Sequence, residues 1–74
     1  MTPADYQRIA NQYGAARLYH HAAAWSQLAA CLAICGPSAA LTEAEEHAQA
    51  GRLVDAFDAI SRAAKTPTVV GGDQ

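Results

Sequence analysis

The residues able to do chemistry are few, and their spacing sets what each group can attempt. Cys31 and Cys35 stand four apart, which on a helix places both thiols on one face. A helical hairpin turning near residue 38 or 39 brings His47 opposite Cys31, so Cys31, Cys35 and His47 form a candidate metal site or thiol sensor. A structural zinc site requires four ligands. No fourth is evident, and the expectation is two small buried hydrophobes, with no metal and no cofactor. A disulfide across one helical turn lies near the upper limit for bridging.

His20 and His21 are adjacent, so on a helix their rings diverge by about 100°. They cannot share an ion as residues four apart do. One is expected exposed and one at the core edge, with a pH-sensitive contact as the alternative use. Asp55 and Asp58 stand near Glu43, Glu45 and Glu46 in sequence, and paired carboxylates can do acid–base work. They read as a solvated helix face, and secondarily as an acidic contact surface for a basic partner. Glycine-rich phosphate loops, Gly-x-Ser-x-Gly and His-Glu-x-x-His are all missing from the sequence. The reading is not an enzyme.

The large rings are Tyr6, Tyr13, Tyr19, Trp25 and Phe57. Tyr6 and Tyr13, seven apart, share a helix face, whereas Tyr19 points elsewhere. One small core cannot hold all three tyrosines, so Tyr19 or the Tyr6/Tyr13 face is expected to be partly exposed. Tyrosine is an interface anchor. The candidate partner-binding residues are therefore Tyr6, Tyr13, Tyr19, His20, Asp55 and Asp58.

These groups must be carried by helices. Alanine, the best helix former, dominates. Strand-favouring residues are scarce: the valines are Val54, Val69 and Val70, and the isoleucines Ile9, Ile34 and Ile60. An all-α fold of three or four antiparallel helices, built from two helical hairpins, follows. Thr2, Pro3 and Asp5 mark a helix start. Two apolar stripes, Tyr6–Tyr13 and Leu18–Cys35, run out of phase, which predicts a break or kink around residues 14 to 17. Gly36 and Pro37 end the second stripe. Thr42 is expected to cap the next helix with Glu45 reaching back, with Ser38 as the rival start and the glutamates crowding the first turn. Leu41, Ala44 and Ala48 should face inward. After Gly51, a last helix should turn Leu53, Ala56, Phe57, Ile60 and Ala64 to one face. The predicted core is Leu18, Trp25, Leu28, Leu32, Leu41, Leu53, Phe57 and Ile60. Ala22, Ala29, Ala44, Ala48, Ala56 and Ala63 should allow close helix approach.

A chain of 74 residues makes one domain, read as 1–67 with a flexible tail at 68–74. Two cysteines are too few for a disulfide scaffold, which predicts a reducing compartment. The apolar run Ala22–Ile34 falls short of the roughly 20 residues that span a bilayer, and the N-terminus lacks signal-peptide character. A cytoplasmic protein without a membrane partner is expected. The net charge of −2 and five scattered basic residues argue against nucleic acid.

Weak self-similarity runs at a period of 35: Arg17-Leu18 aligns with Arg52-Leu53, and Ala24-Trp25-Ser26 with Ala59-Ile60-Ser61. Gly51, Leu53, Ala56, Ile60, Ala63 and Pro67 match the small-residue turn, packing alanines and closing proline of a tetratricopeptide-type repeat, which residues 38–67 resemble. Residues 38–46 depart from that pattern, having neither its large aromatic nor its Leu-Gly pair. The resemblance implies a helical hairpin that binds protein without catalysis. The functional expectation is a protein-binding module (adaptor, chaperone-like partner or inhibitor) acting on another protein or forming a homodimer. A phage-type inhibitor of a host or defence complex and the Cys/His sensor are the alternatives.

Overall fold

Thr2 starts the first helix through a complete capping box. Its hydroxyl accepts the Asp5 N–H at 3.2 Å, and the Asp5 carboxylate accepts the Thr2 N–H at 3.0 Å. Those Thr2 bonds, backbone first, hold the Asp5 carboxyl below its usual range. The computed structural model describes residues 2–65 as four helices: α1 (Pro3–Ala15), α2 (Tyr19–Cys35), α3 (Ala39–Gln49) and α4 (Leu53–Lys65). No strand occurs among the described residues. The 67/68 domain boundary and the tail expected beyond it lie outside them.

The break predicted around residues 14 to 17 is a Schellman turn. Leu18 N–H donates to the Tyr13 carbonyl at 2.9 Å and Arg17 N–H to the Gly14 carbonyl at 3.0 Å. Gly14 stays inside α1, and the left-handed residue is Arg17, with φ 66°. The α3–α4 turn repeats the same pair of bonds: Arg52 to His47 at 2.9 Å and Gly51 to Ala48 at 3.1 Å. There the left-handed position holds Gly51, φ 82°. Both hairpins thus close alike, one with glycine and one with arginine.

Between the hairpins, Gly36 takes a positive φ and Ser38 caps α3, its hydroxyl accepting the Leu41 N–H at 3.1 Å. Thr42 is therefore not the cap. It lies one turn inside, donating its hydroxyl to the Ser38 carbonyl at 3.2 Å. Starting at Ser38 gains a turn that buries Leu41, and it moves Glu43, Glu45 and Glu46 beyond the first turn.

α1 packs on α2 and α3 on α4, while α2 touches both α3 and α4. Trp25 and Leu28 are the largest fully enclosed side chains. Around them lie Tyr6 and Ala10 of α1, Leu41, Ala44 and Ala48 of α3, and Ala56, Ala59, Ile60 and Ala63 of α4. The α4 stripe has i, i+3, i+4, i+7 spacing. It centres on the alanines, so Leu53 and Phe57 sit half-buried at its edge and Ala64 is exposed. Leu32 is also half-buried, and Leu18, expected in the core, is 46% exposed because it is the residue leaving the turn. Among the described residues no helix is long and apolar enough to cross a membrane.

The two turns give opposed predictions. A left-handed conformation costs an L-residue about 1–2 kcal/mol, and glycine returns about 0.4–1 kcal/mol of that through the freedom of the unfolded chain. Arg17→Gly should raise stability by about 0.5–1 kcal/mol, and Gly51→Ala should lower it by about the same or more. Urea unfolding of the two variants checks both signs.

Candidate functional site

The groups singled out for chemistry are taken apart by the fold. Cys31 is buried in the core cluster and Cys35 is exposed at the helix end; both thiols are free. Burial, then the neighbouring Cys35 thiol, pushes the Cys31 thiol up, away from the thiolate that would act as nucleophile or metal ligand. His47 serves the α3–α4 turn. Its Nδ1 accepts from Arg52 Nε at 3.0 Å, and its Nε2 lies 3.4 Å from Glu43 Oε2. Among the described residues no three His, Cys, Asp or Glu side chains gather as a metal site, and no pocket opens. Cys31, Cys35 and His47 are not brought together as a ligand set.

The carboxylates disperse as well. Arg62 of α4 bonds Glu43 of α3 at 2.8 Å and Asp58 at 3.3 Å. The Arg62 guanidinium, with a smaller contribution from His47, holds the Glu43 carboxyl below its usual range. Glu45 turns instead to α1, accepting the Tyr6 hydroxyl, and also accepts the Gln49 amide at 3.2 Å. Asp55 remains exposed in the first turn of α4.

Tyr6 is a correction to its expected place on a partner-binding face: it is only 4% exposed. Its ring sits 5.8 Å from that of Trp25, and its hydroxyl reaches Glu45, so one side chain ties the first hairpin to the second. Tyr13 is half-buried between Trp25 and His21, with centroid separations of 6.5 and 5.1 Å. His21 is thus the core-edge histidine and His20 the exposed one.

Apart from Val54 on α4, 83% exposed, and Leu18 at the turn, the large apolar side chains that remain outward lie on the far side of α2. Tyr19, Ala23, Ala30 and Ile34 recur at intervals of four, seven and four, which is one helix face, and all are exposed. Tyr19 is 66% exposed and Ile34 83%. Gln27 lies at mid-helix beside them, and Ser26 donates to Gln7 of α1 at 3.4 Å. No Asp, Glu, Lys or Arg occurs from Leu18 to Thr42. Helix α2 is therefore apolar on both sides, the character of a helix enclosed all round, yet its outer side faces solvent. Ala23, Ala30 and Ile34 belong to no catalytic pattern, so a search for chemistry passes over them. The uncharged run is the signal that marks them. Compared with known proteins, the chain matches no family model, no curated protein and no solved structure.

Tyr6 supplies a measurable consequence. Burial, then its bond to Glu45, raises the Tyr6 hydroxyl pKa far above the ordinary value of about 10. A raised folded pKa contributes stability that is present below pH 10 and lost as the unfolded tyrosine ionises above it. Stability should fall between about pH 9 and pH 11. In Tyr6→Phe the fall should be shallower, and at neutral pH the variant should lose about 1–2 kcal/mol for the missing hydrogen bond. Urea unfolding of both chains at neutral pH and at about pH 9 and pH 11 measures each effect.

Proposed function

We propose that this protein is a non-enzymatic protein-binding module, acting as an adaptor or inhibitor, and that its contact surface is the outer face of α2. The observation that carries this reading is that face itself: apolar, uncharged along its length, and bearing Tyr19 and Ile34 in the open. Large contiguous apolar exposure marks interaction sites on soluble domains, and tyrosine with aliphatic neighbours is the composition of interface centres. His20 stands exposed beside Tyr19. Of the tyrosines, only Tyr19 serves this surface. Tyr6 and Tyr13 are spent on the core.

Ala56 and Ala63, two of the alanines by which residues 38–67 resemble a tetratricopeptide-type repeat, are buried where α4 packs into the core. In that likeness, too, helical hairpins present surfaces to proteins. The acidic side chains most available for a basic partner are Asp55 and Glu46, since Arg62 binds both Glu43 and Asp58.

Photo-crosslinking in native cell extract tests the reading. A photoreactive side chain in place of Ala30 should yield a discrete adduct with a protein, while the same group in place of the exposed Glu46 on α3 should yield none. Equal yields from the two positions, or none from either, would overturn it.

A further inference from the structure

Resting on that reading of the α2 face, we infer that its occupant is the α2 helix of a second copy of this chain, packed antiparallel about a two-fold axis passing between Ser26 and Gln27. A two-fold interface must be complementary to itself: a residue at one distance from the axis meets the residue at the same distance on the other side. The outer face meets this condition. Tyr19 and Ile34 lie equally far from the point between Ser26 and Gln27, and so do Ala23 and Ala30. In the antiparallel pair Tyr19 of each copy lies against Ile34 of the other, and Ala23 against Ala30. The bulky residues close the two ends, and the alanines at mid-seam permit helix axes about 8 Å apart.

Electrostatics select the same partner. The first turn of α2 holds no acidic residue, its last turn holds no basic one, and Leu18 makes no side-chain cap. Both ends of its dipole are left without a countercharge. An antiparallel copy places the negative end of one α2 beside the positive end of the other and compensates all four ends. An uncharged seam also brings no like charges together at the axis and buries no ion. A foreign helix with charged flanks would find no countercharge on this face.

The seam is 17 residues, about 25 Å long, and one helix per copy buries less than the roughly 1,200–2,000 Å² of stable interfaces. The dimer is therefore concentration-dependent, with Kd between about 1 µM and 1 mM.

Sedimentation equilibrium on the full chain, with Cys35 kept reduced, tests this. Ala23→Glu and Ala30→Lys are both at exposed positions, and unchanged helical circular dichroism and unfolding midpoint verify their fold. Each variant alone should weaken association at least about 30-fold by burying an unpaired charge. An equimolar mixture should regain most of that loss, because only the antiparallel register sets the introduced carboxylate against the introduced ammonium. A chain still monomeric near 1 mM, a dimer indifferent to both variants, or a mixture no stronger than its components would each overturn the inference. The wider reading is decided separately, by crosslinking in extract with the chain added above the dissociation constant that sedimentation gives: an Ala30 crosslink to a different protein sustains it with the second copy excluded, and no adduct to either the chain itself or another protein removes it.

Discussion

The fold depends on the burial of Trp25 in the middle of α2. At 2% exposure its indole is fully enclosed, stacked on Tyr13 and tilted against Tyr6 on the α1 side and joined to the alanine-lined faces of α3 and α4. The indole N–H has no hydrogen-bond partner among the described residues. An unsatisfied buried donor costs about 1–3 kcal/mol. Burying an indole of about 200 Å² contributes about 5 kcal/mol at 25 cal/mol per Å². Burial wins, and the helices arrange themselves around the ring. Alanine at Ala44, Ala48, Ala56, Ala59 and Ala63 is what lets them come close enough to enclose it.

From this arrangement follows the division of labour among the polar groups. With α2 in contact with all three other helices, Tyr6 and Glu45 tie the first hairpin to the second between α1 and α3, and Arg62 and Glu43 tie α4 to α3 within the second. These bonds draw carboxylates and an aromatic hydroxyl into structural roles. A chain this small encloses only part of its apolar surface. The inner side of α2 takes the core, and the outer side of the same uncharged helix is left to solvent. The proposed binding face is thus the other side of the helix on which the core is built.

Much of the architecture was legible before the fold was known. The Thr2-Pro3-x-Asp5 start, the end at Gly36-Pro37, and the inward Leu41, Ala44 and Ala48 are local matters, set by caps, turns and periodicity within a few residues. The break near Gly14 was legible as a change of stripe, although its left-handed residue is Arg17, because a Schellman turn is positioned by its two backbone bonds and not by the nearest glycine. The cap of α3 went the other way. Thr42 with Glu45 is the better local pattern, yet Ser38 prevails because the extra turn buries Leu41, a gain that only packing creates.

Composition and periodicity alone determined that the chain is all-helical, that it forms hairpins, and where most of the helices stop, because helix propensity and capping act over a turn or two. Only the tertiary structure decided which residues of each stripe lie at its centre: why Leu18 is outside, why Tyr6 is inside with its hydroxyl on Glu45, and why His47 bonds Arg52 and lies near Glu43. Burial and long-range pairing depend on which helix faces meet. For α2 the inner face was legible from the Trp25–Leu28 stripe, but that its opposite, equally uncharged face stays open to solvent was decided only by where the other three helices pack.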